Sequence, residues 1–117
     1  MPIPQDVVSL YDQLIATQPD LQRKGATMPY TSVNGHMFSF LTPDGHLALR
    51  LPAPERSAFM ARYHAVLCEQ HGKVMQEYVQ VPDDLLRKVG ELAPHFEVSY
   101  SYVNALKPKP TTRRRSG

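Results

Sequence analysis

The spacing of apolar residues predicts one helix at the start of the chain and a second near its middle. In residues 5–17 the apolar side chains recur every three or four positions, as they do on one face of a helix. The second helix begins at Pro54, because proline suits a first turn, and stops at the glycine of His71-Gly72. Its predicted buried stripe consists of Phe59, Met60, Tyr63, Val66 and Leu67.

Between these helices the alternation of apolar and polar residues predicts three strands, at 27–33, 36–41 and 46–51. Asn34-Gly35 separates the first two strands and is a strong hairpin signal, because a type I′ turn needs positive φ at both central residues. A second turn at residues 44–45 joins the third strand. The three strands therefore form an antiparallel meander.

The alternation also assigns side chains to the two faces of the predicted sheet. In residues 36–41, Phe38 and Phe40 are placed on one face. The opposite face of that strand carries Met37, Ser39 and Leu41. In residues 46–51 the leucines face inward, and the outward positions are His46, Ala48 and Arg50.

The remainder of the chain predicts one more strand and C-terminal helices. Residues 74–81 alternate as a fourth strand, and a helix starts at Pro82. The apolar face of that helix consists of Leu85, Leu86, Val89 and Leu92. Residues 94–106 fit both a strand and a helix on pattern alone. The fold class is therefore α+β, with an antiparallel sheet of a three-stranded meander and at least one further strand, flanked by helices.

Composition is typical of one globular domain, which is predicted to span residues 1–106. The chain has 117 residues, of which 42% are hydrophobic and 21% are charged. Cys68 is the only cysteine, so no internal disulfide forms and a reducing, cytoplasmic location is expected. The apolar runs are far shorter than the ~20 residues that cross a bilayer, and the N-terminus lacks a secretory pattern. No membrane association is therefore predicted.

Charge is distributed unevenly along the chain. The C-terminal segment 107–117 contains the basic residues Lys107, Lys109, Arg113, Arg114 and Arg115. Residues 1–106 carry eight Lys and Arg against eleven Asp and Glu, a net charge of −3. Because the segment 107–117 contains prolines and no large apolar side chain, it is predicted to be an extended, mobile tail. Its five charges are candidates for contacts with nucleic-acid phosphates.

A series of short motifs runs through the body of the chain in a recognisable order. They are Met28-Pro29-Tyr30, residues 35–40, residues 44–50, Arg56 with Phe59, and residues 72–82. Over residues 10–106 this order resembles the TfoX N-terminal-like domain family, small bacterial domains related to the N-terminal part of a competence regulator. The resemblance implies a helix-flanked antiparallel sheet of the secretion-chaperone-like kind, and a terminal helix at 94–106. It supplies no catalytic residues, and many members have Met-Phe-Gly where this chain has Met28-Pro29-Tyr30.

The sequence contains no catalytic or metal-ligand motif, so no enzyme activity, cofactor or metal is predicted. His36 and His46 each follow a turn glycine, and with Asp44 they form the one candidate for an acid–base or weak metal site. Exposed histidines at strand starts are the preferred interpretation. Glu77 is expected to face solvent, since an inward carboxylate needs a partner. Cys68 is placed near the end of the central helix, where the dipole disfavours a thiolate.

These observations favour a non-catalytic binding module that acts through a protein partner or a homodimer. Regulation is among the roles that this prediction includes. Four aromatic residues are expected to exceed what a small core can bury, and they are the candidates for a contact surface. They are Phe38, Phe40, Tyr100 and Tyr102. The alternative is a nucleic-acid-associated regulator of transcription or competence that acts partly through the basic tail. The acidic body opposes this alternative.

Overall fold

The structure is a computed structural model that describes residues 3–25, 28–70 and 72–106. Its helices are α1 (Gln5–Ile15), α2 (Ala53–Tyr63), α3 (Asp83–Leu86) and α4 (Val89–Asn104). Its strands are β1 (Tyr30–Val33), β2 (His36–Leu41), β3 (Leu47–Arg50), β4 (Leu67–Gln70) and β5 (Lys73–Val81). The strands form one antiparallel sheet with the order β1-β2-β3-β5-β4. The predicted α+β class, with N-terminal, central and C-terminal helices, is confirmed.

The predicted meander is present as β1, β2 and β3. Asn34 and Gly35 have φ angles of 55° and 80° between β1 and β2, so both central residues take the positive φ that a type I′ turn requires. The second turn is closed by the amide of Thr42, which donates to the carbonyl oxygen of His46 at 2.8 Å. The residues of these two tight turns therefore determine how β1, β2 and β3 are connected.

The central helix is shorter than predicted, and a strand follows it. The helix α2 ends at Tyr63, and His64 then adopts a left-handed φ of 54°. The next residues form β4 and pair with β5 across a turn in which Gly72 has a φ of 76°. The prediction of Val66 and Leu67 in a helical stripe is therefore wrong. Hydrogen bonds to β5 decide the conformation of this segment, and its own spacing does not reveal them.

The C-terminal residues are helical, as the family resemblance implies, but the helices begin and end at other positions than predicted. The helix α3 stops at Leu86, and Lys88, with φ of −106° and ψ of 67°, separates it from α4. Val89 therefore belongs to α4, which continues through Pro94 to Asn104. Within the described residues no helix combines the length and apolar character needed to span a membrane.

The main core lies between the helices and one side of the sheet, which we call the helical face. Leucines of β3 meet Leu14 of α1, Phe59 of α2 and Phe96 of α4 there. Leu47 and Leu49, like Leu51 beyond the strand, are at most 1% exposed, which confirms their predicted inward direction. Each such side chain contributes about 1.5–3 kcal/mol on burial.

Three buried hydroxyl groups connect α1 to the helical face. The oxygen atoms of Tyr11 and Ser39 are 2.6 Å apart, and Ser39 is also hydrogen-bonded to Thr31 of β1. All three residues are completely buried. Burial raises the pKa of Tyr11, so its hydroxyl stays protonated. Mutual hydrogen bonding removes the cost of burying these polar groups, and it fixes the position of α1 on the sheet.

Candidate functional site

The four aromatic residues predicted to form one contact surface lie in different environments. Phe38 is completely buried, and its ring centroid lies 5.5 Å from that of Phe96 and 5.7 Å from that of Tyr100. Phe40 is 2% exposed and belongs to a separate cluster on the other side of the sheet. Tyr100 and Tyr102 are half-buried on α4 and pack against the main core. The prediction that these four residues form one contact surface is wrong, because Phe38 is buried in the main core.

A β-bulge in β2 explains why Phe38 and Phe40 lie on opposite sides of the sheet. Thr31 lies opposite Ser39 but Ser32 lies opposite Met37, so β2 has one extra residue, Phe38, between these pairs. Such a bulge breaks the regular alternation of side chains along the strand. Phe38 and Ser39 consequently both contact helices. The prediction that Phe38 shares a face with the second phenylalanine, and Ser39 with Met37, is therefore wrong.

The other side of the sheet carries an apolar cluster that contains no helix residue. Its members come from all five strands and are Tyr30, Met37, Phe40, Ala48, Cys68, Met75 and Tyr78. We call this cluster the open face, because the helices pack into the main core on the helical face. Phe40, Ala48 and Cys68 are buried by the other four members, which are half-buried. Ala48 faces away from the main core as predicted, but neighbouring side chains cover it.

Tyr78 lies across the centre of the open face. It starts on β5 and passes over β3, and its hydroxyl donates to the carbonyl oxygen of Met37 on β2 at 2.6 Å. Its ring centroid is 5.6 Å from that of Phe40. The residue paired with Tyr78 on β3 is Arg50, and Ala48, two positions earlier, belongs to the same apolar cluster as the tyrosine. Burial raises the pKa of Tyr78, so its hydroxyl remains a donor at neutral pH.

Two cations near the open face are already engaged by other groups. Arg50 donates from Nε to Glu77 at 2.6 Å, and its guanidinium carbon lies 5.6 Å from the ring centre of Tyr102 on α4. Tyr102 donates to the second oxygen of Glu77 at 3.3 Å. Glu77 therefore has two partners, and its side chain is also 40% exposed, which agrees with the predicted solvent-facing position. At the opposite edge Lys24 donates to the hydroxyl of Ser32 at 3.0 Å. None of the seven open-face residues carries a charge.

Cys68 lies in the open face and not, as predicted, near the end of the central helix. It is a free cysteine on β4 and is completely buried. Burial raises the pKa of its thiol, and a thiol that stays protonated is a poor nucleophile. The environment therefore supports the predicted structural role of this side chain.

The histidine candidates are separated by the length of β2. His36 begins the strand and pairs with Val33, whereas His46 lies beside Thr42, just beyond its other end. Six steps of about 3.3 Å along a strand, from position 36 to position 42, place the two histidines about 20 Å apart. The prediction that His36 and His46 approach each other is wrong. In an antiparallel hairpin the end of one strand lies beside the start of the next, so the starts of the two strands lie at opposite ends of the pair. Among the described residues no group of three or more His, Cys, Asp or Glu is arranged to hold a metal ion.

His46 and Asp44 instead line a cavity of about 210 Å³ between α1, the β2–β3 turn and α3. His46 Nδ1 lies 3.2 Å from a carboxylate oxygen of Asp83. On the opposite wall Arg87 and Asp6 form a long ion pair of 3.9 Å. Both pairs are largely exposed, so each adds little stability. Their arrangement joins α3 to the turn and to α1.

A hydrogen-bonded cluster that the sequence analysis did not identify connects α2 to α4. The hydroxyl of Tyr63 donates to Glu91 at 3.1 Å and lies 3.1 Å from Nε2 of His95. Burial and nearby Arg62 lower the pKa of His95, and burial raises that of Tyr63. A protonated tyrosine beside a neutral histidine is not an activated nucleophile. The spacing of Glu91 and His95, four residues apart on one helix, was the signal available in the sequence.

Two sequence-based expectations remain predictions. The basic residues Lys107, Lys109, Arg113, Arg114 and Arg115 lie outside the described residues. Comparisons with family models, with curated proteins and with solved structures found no match to this chain. The resemblance to the TfoX N-terminal-like domain family therefore stays a prediction.

Proposed function

We propose that this chain is a non-catalytic binding module that contacts a protein partner through the open face. The observation that carries the proposal is the composition of that face. An antiparallel sheet covered on one side normally presents polar side chains on the other. Here Tyr30, Met37, Met75 and Tyr78 occupy the uncovered side, partly exposed around a buried centre. Aromatic and methionine side chains are enriched at protein interfaces.

The charges around the open face favour a protein partner over a nucleic acid. Aromatic residues that stack on bases are accompanied by cations that follow the phosphate backbone. The guanidinium of Arg50 is occupied by Glu77, and Lys24 is bonded at one edge. Over the described residues eight Lys and Arg face eleven Asp and Glu. The net negative charge of the body as a whole opposes association with a polyanion.

Site-specific photocrosslinking in the source cells tests the proposal. A photoreactive amino acid replaces Met75 on the open face, and in a matched control it replaces Val74. Val74 is 48% exposed but lies outside the open-face cluster, and adjacent strand residues point to opposite sides of the sheet. We expect a protein adduct from position 75 and not from position 74. The purified partner must then bind the wild-type chain and lose binding to Met75→Lys.

Two results would contradict the proposed function. One is equal crosslinking from Met75 and Val74, which would mean that the open face has no special role. The other is an adduct at position 75 that disappears after nuclease treatment, which would identify the contact as a nucleic acid. The full chain is used in both cases, so residues 107–117 are present throughout.

A further inference from the structure

We propose that the edge strand β4 binds an extended segment of a partner protein, which adds a sixth strand to the sheet and places a lysine or arginine opposite Glu69. This surface is the edge of the sheet and not its open face, so the inference goes beyond the proposed function. Three observations carry it. They are the backbone groups that β4 leaves unpaired, the contrast with the other edge of the sheet, and the side chains of β4.

The backbone of β4 is paired with another strand on one side only. The strand lies at the end of the sheet, next to β5. The amide of Gln80 on β5 donates to the carbonyl oxygen of Val66, just before β4 begins, at 2.8 Å. In an antiparallel pair this bond means that the N–H and C=O of the next residue, Leu67, point away from β5. Alternation along the strand directs the backbone groups of Glu69 the same way.

A side-chain contact agrees with this outward direction. The side-chain amide of Gln70 donates to the carbonyl oxygen of Glu69 at 2.8 Å. A carbonyl oxygen has two acceptor positions, so the same group can also accept a bond from an added strand. The edge of β4 therefore offers two N–H and two C=O groups, at alternate residues, which is the arrangement that an antiparallel strand requires.

The opposite edge of the sheet is covered by the chain itself. Lys24 and Tyr30 of β1 exchange two backbone hydrogen bonds, of 2.8 and 3.0 Å. The Lys24 side chain also donates to the hydroxyl of Ser32 on β1. Within the described residues no such bridge covers β4. An uncovered sheet edge is a template for pairing with another chain, so β4 is the edge at which a strand can be added.

The side chains of β4 determine which strand fits. Leu67 packs against the main core and Cys68 belongs to the open face, so successive residues point to opposite sides of the sheet. Glu69 therefore lies on the side of Leu67, and it is exposed. Its carboxylate forms no ion pair with another described residue. Directly opposite residues of paired strands contact each other, and opposite charges there are favourable, so a lysine or arginine fits opposite Glu69.

The neighbouring position of the added strand should be apolar. Val66 is 58% exposed and lies outside both apolar clusters. Alternation places it on the side of Cys68, where an apolar residue next to the basic one would contact it. A second copy of β4 fits less well. It would place either Leu67 or a second glutamate opposite Glu69, and like charges at such a position are destabilising.

Amide hydrogen exchange with synthetic strands tests this inference. The probes are a heptapeptide in which lysine and valine alternate, with lysine at both ends, and the same peptide with glutamate for lysine. Two further versions of the lysine peptide carry N-methyl groups, either on the lysine amides or on the valine amides. The full-length chain is ¹⁵N-labelled. The amides of Leu67 and Glu69 report on the β4 edge, and the amide of Ser32 reports on the opposite edge.

We expect the lysine peptide, at saturation, to slow exchange at Leu67 and Glu69 by about tenfold and to leave Ser32 unchanged. With lysine opposite Glu69 in an antiparallel pair, the lysine amides face β4 and the valine amides face away. N-methylation of the lysine amides should therefore abolish binding, whereas N-methylation of the valine amides should change it less than about twofold. The glutamate peptide should bind about fivefold more weakly.

Substitutions of Glu69 provide the matching test in the chain. Proline lacks the N–H but is tolerated on an edge strand where that group faces solvent, so Glu69→Pro should remove peptide binding without unfolding the sheet. Glu69→Gln keeps the amide and removes the charge, and the lysine and glutamate peptides should then bind equally well. Unchanged amide signals from β2 and β3 show that a variant is folded. If Glu69→Pro unfolds the chain, the two N-methylated peptides decide the question with the wild type.

Three results would overturn the inference. If no peptide protects Leu67 and Glu69, or if both N-methylation patterns act alike, β4 does not accept a strand. If the lysine and glutamate peptides bind the wild type equally well, the partner is not basic opposite Glu69. If the two amides become protected at high protein concentration alone, and sedimentation shows a dimer, the occupant is a second copy. Photocrosslinking at Met75 is a separate measurement, so the proposed function stands or fails independently.

Discussion

Tyr78 and Met37 lie on strands that do not touch each other, yet a 2.6 Å hydrogen bond joins them across the sheet. The tyrosine hydroxyl donates to the methionine carbonyl oxygen, and β3 runs between the two strands. Ala48 of β3 belongs to the same cluster and is completely buried. The open face is thus held in shape by its own side chains without a helix above it.

Enlarging Ala48 should disturb this arrangement. Ala48→Leu inserts a branched side chain into the buried centre of the open face, and overpacking of this kind costs about 1–3 kcal/mol of folding free energy. Tyr78→Phe removes the hydrogen bond alone and should cost about 1 kcal/mol. Urea denaturation of the two variants measures both effects. An Ala48→Leu variant as stable as the wild type would show that the open face has room for a larger side chain at this position.

The buried hydroxyl cluster should be energetically coupled. Tyr11→Phe leaves Ser39 with one partner fewer and should lower the free energy of unfolding by about 1–2 kcal/mol. The double variant with Ser39→Ala should lose less than the sum of the single losses, because both changes remove the same bond. Tyr102→Phe is the comparison, since its bond is longer and half-buried, and it should cost less. Strict additivity between Tyr11 and Ser39 would contradict the hydrogen bond.

Protonation of His95 should destabilise the fold. Burial and nearby Arg62 lower its pKa below the ordinary value of 6.5, although Glu91 acts in the opposite direction. The unfolded chain therefore binds a proton at a pH where the folded chain does not. Its stabilising contribution is complete above pH 6.5, is lost as the pH falls toward the lowered pKa, and changes no further below it. Urea midpoints at pH 7.5 and 5.5 should fall more for the wild type than for His95→Gln, and equal decreases would refute this assignment.

Cys68 should react with thiol reagents only when the chain unfolds. The side chain is completely buried and its pKa is raised by burial. We expect native-state modification by a disulfide reagent to be at least ~100-fold slower than modification in denaturant. Cys68→Ser should cost about 1–3 kcal/mol, because it places a hydroxyl in an apolar site. Rapid native labelling would mean that β4 opens readily.

Nucleic-acid binding, if it occurs, should depend on the C-terminal charges and be sensitive to salt. A labelled ~20-base-pair duplex, followed by fluorescence anisotropy, should bind the full chain weakly at ~50 mM salt and not at ~200 mM. Substitution of Arg113, Arg114 and Arg115 by serine should abolish the weak binding. Tight binding that survives both the substitutions and the salt would show that the folded body recognises nucleic acid.

The elements with strong local signals could be predicted from the sequence. The Asn34-Gly35 turn and the leucine pattern of β3 are each determined by nearby residues, and the structure contains both. The strand β5 is also present, but its pairing with β4 shifts register, so Met75 and Tyr78 lie in the same cluster although alternation places them on opposite sides. The strand β4 could not be predicted in this way. Leu67 fits a helical stripe as well as a strand, and the deciding contact is its pairing with Val79, twelve positions away.

The open face could not be predicted from the sequence for a related reason. Alternation along β2 places Phe38 and Phe40 together, and only the register with β1 reveals the bulge that separates them. The open face combines residues from five strands that are scattered between positions 30 and 78. No short motif contains them, so their proximity follows from the strand order alone.

The strand order also determines when the sheet can be completed during synthesis. The last strand, β5, is inserted between β3 and β4. A ribosome that has released residues 3–70 has produced four of the five strands, yet only the meander can pair, and β4 has no neighbour. Translation of residues 73–81 closes the sheet in a single step. A message truncated before that point would yield a product in which β3 becomes an unpaired edge and β4 has no partner on either side. Chaperones and proteases would encounter such a product as an aggregation-prone fragment.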